Sequence, residues 1–410
     1  DREHASRARH RLYRNKGDGT FLDATEQAGP TISGYGMGAC SADYDNDGWP
    51  DLYITSVGGD RLYRNTGTNS FADVTAQAGI DSKRWSASCA FADIDNDGDV
   101  DLYVARYVDF TPEKNKFCPL PGIAKAYCHP NEYPSLPDIL LRNNGNGTFT
   151  DISKEAGILQ RPPGNGLGVV FGDYDNDGWV DIYVANDSSP NFLFHNKERG
   201  VFEEVGFRAG VAVGHDGKAL AGMGVDAGDY DGDGLLDLFV TNLAQETHSL
   251  YRNLGNMLFA DETFRSGVGA ATLPFTGFGT AFIDYDNDMD LDLAVANGHT
   301  IDNVALSRDD TTYEQLNLLL QHTGGKFRNV APRAGSGFAI KKASRGLAAG
   351  DLDNDGDIDL VISNAGQTAD VLRNDGGNRA NALLIRTIGS KSNRDGIGAR
   401  LRLTVDGKVQ

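Results

Sequence analysis

Asp43-Tyr-Asp-Asn-Asp47-Gly-Trp-Pro-Asp51 runs straight into the apolar stretch Leu52-Tyr53-Ile54. Its carboxylates stand at positions 1, 3, 5 and 9 of a nine-residue loop: Asp43, Asp45, Asp47 and Asp51. The same spacing returns five times: at Asp93, Asp95, Asp97 and Asp101; at Asp173, Asp175, Asp177 and Asp181; at Asp229, Asp231, Asp233 and Asp237; at Asp284, Asp286, Asp288 and Asp292; and at Asp351, Asp353, Asp355 and Asp359. Four carboxylates so close repel one another strongly in water, and a hard dication between them removes that repulsion. Ca2+ accepts six to eight oxygen ligands at flexible geometry, which suits closely spaced Asp side chains plus one backbone carbonyl. The rival reading, six solvated acidic turns, does not account for a fixed spacing repeated six times. Mg2+ is the rival ion, but it prefers rigid octahedral sites that retain several waters.

Within each loop, positions 1, 3, 5 and 9 are expected to ligate through side chains and position 7 through its carbonyl. The position-7 residues are Trp49, Asp99, Trp179, Leu235, Asp290 and Asp357; their identity varies because the backbone supplies the ligand. Gly at position 6 permits the sharp turn, and in the fifth loop Met289 takes its place. A side chain there must accept a strained φ or shift the turn, so the fifth site is expected to be distorted or weaker.

Around each loop the chain repeats itself. A Gly-rich strand precedes the loop, as in Gly34 to Gly38, and an apolar strand follows it. Leu-Tyr-Arg-Asn comes next, at 62–65 and 250–253, and then a turn leads to Phe-x-Asp, as at Phe71 and Phe149. That is four short strands per unit, the signature of a β-propeller blade. The Gly-rich strand belongs innermost, where blades converge. Residues 11–25 read as the outer half of another unit, and the strand-like runs 381–386 and 399–405 are available to complete it. The expectation is therefore an all-β, seven-bladed propeller over residues 1–380, with residues 381–410 beginning a further β segment that closes the ring; six blades with the ends packed outside is the alternative.

The formal net charge is -20, which six Ca2+ ions would bring to about -8, so the acidity reports metal first and partners second. No basic stripe points to nucleic acid, and no run of 18 apolar residues spans a membrane. The chain starts at Asp1 without an initiator Met, which reads as a processed product or a fragment. Four cysteines fit an oxidising compartment. Cys118 and Cys128, in an irregular loop, are expected to pair. Cys40 and Cys89 lie on inner strands of neighbouring blades with opposite parity, so a blade-to-blade disulfide competes with two buried thiols. Gly-x-Gly runs precede a strand rather than a helix, which rules out a dinucleotide loop, and no nucleophile–base motif occurs. His299 is a candidate site residue but reads more readily as a turn histidine. Asn146 and Asn186 fit the N-glycosylation pattern and equally fit turns.

These motifs resemble the FG-GAP/VCBS repeats of integrin α-chain propellers, and more closely those of the cartilage acidic protein family. The stretch Ala221 to Gly234 is similar to that family's repeat, and Ser392 to Arg400 resembles the start of its ASPIC/UnbV region. The resemblance implies a secreted, Ca2+-stabilised propeller that binds an extracellular protein or glycan and performs no catalysis. Two other functions compete: self-association through open strand edges, and an enzyme with a site in the central channel, disfavoured because no Glu or His cluster marks the inner strands. The insertions 106–138 and 298–315 exceed what the repeat needs and are the candidate partner surface.

Overall fold

The computed structural model describes residues 10–29, 34–80, 83–377, 383–405 and 408–409. It is an all-β propeller. Blade one comprises Tyr35–Ala42, Asp51–Val57, Arg61–Asn65 and Phe71–Asp73; blade two, Ser86–Ala92, Asp101–Arg106, Ile139–Asn143 and Phe149–Asp151. Blade three comprises Gly166–Gly172, Asp181–Asn186, Phe192–Asn196 and Phe202–Glu204; blade four, Val225–Gly228, Asp237–Val240, Ser249–Asn253 and Phe259–Asp261. Blade five comprises Gly277–Ile283, Asp292–Asn297, Leu318–Thr323 and Lys326–Asn329; blade six has three strands, Ser344–Gly350, Asp359–Asn364 and Asp370–Leu372. Each is an antiparallel meander with an Asp loop joining its first two strands.

First strands of successive blades lie side by side from blade one to blade six. They carry small residues because the next blade's backbone presses on them: a Cβ on Gly224 would stand 1.9 Å from the Phe278 carbonyl, and one on Gly279 2.4 Å from the Leu347 nitrogen. The apolar cores sit between blades rather than within them. Tyr53 and Leu62 of blade one pack with Leu102 and Val104 of blade two, and Phe239 and Leu250 of blade four with Leu293 and Leu320 of blade five.

The expected seven-bladed closure is not formed; six blades are. Tyr13–Asn15 and Phe21–Asp23 make a two-stranded hairpin between blade six and blade one. Its place is shown by two contacts that recur around the ring. Asn15 donates to the Leu352 carbonyl, as Asn143 does to Tyr44 and Asn253 to Tyr174. Phe71 N–H donates to Ala28, as Phe149 does to Ala78. The C-terminal runs do not complete this hairpin. Residues 383–403 form no strand, Thr404–Val405 pairs only with Lys408–Val409, and 381–382 lie outside the described residues. Instead, residues 389–402 run across the Asp-loop face. Asp43 N–H donates to Asp395 at 2.7 Å, Arg394 N–H to the Asn46 carboxamide at 2.9 Å, and the Arg400 guanidinium to Asn176 at 2.7 Å and the Gly234 carbonyl at 3.0 Å. The segment is held on the loop face by one guanidinium, one backbone N–H and one carboxylate, away from the ring's open position.

Candidate metal centres and the loop surfaces

Each Asp loop is built by its own carboxylates accepting backbone N–H groups. In loop one, Asp43 accepts from Asp47 at 2.9 Å and from Gly48 at 2.7 Å, and Asp47 accepts from Trp49 at 2.9 Å. The position-9 carboxylate ties loop to blade: Asp51 accepts from Tyr44 at 3.1 Å and from Asn65 at 2.7 Å. The same position-9 bonds recur at Asp101, Asp181, Asp237, Asp292 and Asp359. The position-7 residues Asp99, Trp179, Leu235, Asp290 and Asp357 likewise donate to Asp97, Asp177, Asp233, Asp288 and Asp355.

Position 3 differs. In four loops one oxygen of this carboxylate, Oδ1 of Asp45, Asp95, Asp286 and Asp353, is buried with no hydrogen-bond partner. A buried carboxylate oxygen without a donor is costly unless a cation meets it. Carboxylate oxygens of Asp43, Asp45 and Asp51 lie within 4.8 Å of one another, as do those of Asp93, Asp95 and Asp101, of Asp173, Asp175 and Asp177, and of Asp229, Asp231 and Asp237. Burial, and then mutual repulsion, pushes the carboxyls up. Asp51 rises to about 7, and Asp101, Asp237 and Asp292 to about 8. Burial also raises Asp43, Asp93, Asp173, Asp229 and Asp284. The Asp donor sets are all oxygen, anionic and converging, and they fit a hard dication; in loop three the ring nitrogens of His195 also come within reach of Asp175 and Asp181.

Loop five shows how Met289 is accommodated. Met289 takes φ 70° and its N–H still donates to Asp284 at 2.9 Å, so the residue accepts the left-handed strain and the turn does not shift.

One set of loop residues had a visible signal that strand reading passes over. The residue before the strand-three Asn, the Arg of Leu-Tyr-Arg-Asn, faces the position-3 carboxylate. Burial raises Asp45, Asp95 and Asp353, and Arg64, Arg142 and Arg373 offset part of that rise electrostatically; Arg252 stands 3.5 Å from Asp231, and Gln321 donates to Asp286 at 2.7 Å. In blade three His195 takes this place, 3.0 Å from Asp181 and 3.8 Å from Asp175.

These six turns, on a propeller of four-stranded meanders, repeat as the sequence motif does. The chain belongs to the FG-GAP-like repeat family. The family's model matches residues 5–54, 43–104, 135–184, 173–240 and 229–295. Cartilage acidic protein 1 of Homo sapiens is 28% identical over 227 residues, 54% of this chain and 31% of the relative. That of Xenopus tropicalis is 32% identical over 169 residues, 40% of this chain and 26% of the relative. The matched stretch thus spans about a third or less of the length of these curated relatives. Among solved structures, an Agrocybe aegerita lectin that recognises non-reducing terminal N-acetylglucosamine is 16% identical with a TM-score of 0.45, over 90% of each chain. The V. cholerae biofilm matrix protein Bap1 is 13% identical with a TM-score of 0.38, over 72% of this chain and 39% of its own.

The chain's other distinctive features lie away from the loops. Cys118 and Cys128 are bonded across a small hairpin, Cys118–Leu120 with Ile123–Ala126. Cys40 and Cys89 are joined between blades one and two, with Cα atoms 5.8 Å apart. Trp85, Tyr107, Phe110 and Tyr133 anchor the base of the 106–138 insertion through edge-on ring contacts. Its tip reaches the second insertion: a Cβ on Gly122 would lie 2.6 Å from the Leu306 carbonyl. Tyr127 lies within electrostatic reach of Asp302, Tyr313, Arg345 and Tyr35. Phe117, Tyr127 and Leu306 stand exposed on this joint surface. His299 belongs to a turn, its Nδ1 accepting from Ile301 at 3.0 Å. Asn186 is fully buried and donates to Pro190, which removes it as a glycan acceptor; Asn146 is exposed and caps Thr148. Among the described residues no helix is long and apolar enough to cross a membrane.

Proposed function

We propose that this chain is a secreted, Ca2+-stabilised propeller that acts by binding an extracellular protein or glycan, with one Ca2+ in each of the six Asp loops. The observation that carries the metal reading is the buried, donorless position-3 oxygen facing two further carboxylates of its loop. Four of the six loops carry such an oxygen, and six cation sites distributed around a ring suit a scaffold, since each stiffens the turn that joins the first two strands of a blade. The partner surface is assigned to the joint formed by insertions 106–138 and 298–315, because it exposes large rings that the blades do not need. Residues 381–410 are assigned to the start of a second β segment, of which residues 389–402 lie across the loop face.

Deleting residues 112–135 and closing the gap with a short linker tests the assignment. The propeller is expected to fold and bind Ca2+, because loop length costs little stability, and to lose its partner from an extracellular extract. A deleted protein that unfolds shows the insertion to be structural; one that keeps every interaction moves the contact elsewhere. Self-association is the second reading, and the hairpin Tyr13–Asn15 favours it. Among the described residues that strand pairs on one side alone, which leaves an edge open to strand addition.

A further inference from the structure

The Asp loops are joined to one another by the asparagine at position 4, a residue to which the metal reading gives no task. Asn46 donates from its carboxamide to the Gly98 carbonyl of loop two at 3.2 Å and to Asp99 at 2.8 Å. Asn96 donates to Gly178 of loop three at 3.1 Å, and Asn176 to Gly234 of loop four at 3.1 Å. Asn287 of loop five donates to Asp357 of loop six at 3.0 Å. Each donor holds φ between 56° and 60°, a left-handed conformation that Asn tolerates better than most side chains. For loops two to four the acceptor is the carbonyl at position 6. The N–H of the same peptide unit donates to the position-5 carboxylate, so one peptide plane is held from both sides.

The relay breaks once. Loop four has Gly232 at position 4 and so no carboxamide to offer loop five. Across that seam two other departures coincide. Met289 replaces the position-6 Gly of loop five, and His322 replaces the strand-three Asn that elsewhere donates to the preceding loop. His322 instead stacks on Phe327 and meets Tyr230 edge-on, its two ring nitrogens without partners.

We propose that the position-4 asparagines are positioning residues that couple cation binding between neighbouring loops. Loops one to four then load as one linked set, and loops five and six as a separate pair. The proposal rests on the Ca2+ reading given above. A cation shared by positions 1, 3 and 5 fixes the turn that carries the Asn. The Asn then fixes the peptide beside position 7 of the next loop, so ordering one site removes part of the ordering cost of the next. The coupling is reciprocal. A single neutral hydrogen bond sets its scale at about two- to tenfold in affinity per link.

The three tryptophans make the test specific. Trp49 and Trp179 occupy position 7 of loops one and three, whereas Trp85 packs on Tyr107 and Phe110 of the insertion. In a W49F protein, Tb3+ luminescence excited through tryptophan therefore reports loop three, and the ion itself is the probe. N96G removes the carboxamide without strain, as Gly232 already does in loop four. It is expected to weaken Tb3+ at loop three by about two- to tenfold. N287G, which cuts the link between loops five and six, is expected to leave that titration unchanged. Emptying loop two with D97N should weaken loop three when Asn96 is present and have no further effect with N96G. Superimposable titrations of W49F and W49F/N96G overturn the coupling, as does an equal shift with N287G. Absence of tryptophan-sensitised emission from W49F itself overturns the cation reading of loop three, a distinct failure.

Discussion

Removing Ca2+ should lower the melting temperature by about 10 °C, and the size follows from the loops. A cation that binds only the folded state stabilises by RT ln(1 + [L]/Kd), about 1.4 kcal/mol per site at tenfold saturation. Six sites of equal affinity supply about 8 kcal/mol. Unfolding entropy of about 2.1 cal/mol/K per residue gives about 0.9 kcal/mol/K for a chain of 410 residues, hence the shift. The structure also says where the loss falls. Without a cation, the donorless oxygens of Asp45, Asp95, Asp286 and Asp353 stay buried beside like charges. The assay is scanning calorimetry in excess EDTA, followed by restoration with Ca2+ or with Mg2+. Ca2+ should restore the transition and Mg2+ should do so poorly, because these loops offer no rigid octahedron. D97N alone should cost about 2 °C in Ca2+, one site's share, because a carboxamide oxygen still accepts from Asp99 N–H. A melting curve indifferent to EDTA would refute the reasoning.

Three further outcomes are expected. Asp138 is buried and accepts from Tyr103 and from Arg106 N–H, and burial raises its pKa from 3.8 to about 6. Its protonated form is favoured in the folded state, so its contribution is complete below pH 4 and is lost as pH rises through 6; denaturant melts should show D138N gaining on wild type by about 2–3 kcal/mol between pH 4 and 7, and a constant difference would contradict this. M289G should raise stability by about 1 kcal/mol by removing the left-handed strain at φ 70°, read as a higher denaturant midpoint; an unchanged or lower midpoint would contradict this. C40A/C89A releases a closure of 49 residues and should cost about 4 kcal/mol by chain entropy, measured as a shift in denaturant midpoint; an unchanged midpoint would mean the link carries no stability.

The repeated 1-3-5-9 carboxylates, the Gly-rich strand before them and the apolar strand after them were enough to place four strands per unit and an Asp loop between the first two. That much is local: turn chemistry and alternating burial act over nine to twenty residues, and six copies make the period plain. Even the Arg facing position 3 was written in Leu-Tyr-Arg-Asn, and only its direction was lacking. What tertiary structure decided are the relations between units. The ring has six blades and a hairpin, and residues 389–402 are held across the loop face by the Arg394 N–H, the Asp395 carboxylate and the Arg400 guanidinium rather than in the open position. Blade two's insertion meets blade five's at Gly122 and Leu306, although they are far apart in the chain. Asn recurs at position 4 in every loop but the fourth, yet what its carboxamide meets, 52 or 82 residues away, appears only when neighbouring loops are set side by side. Repeat periodicity encodes what each blade is; contacts between blades depend on curvature summed around the whole ring, which no single repeat contains.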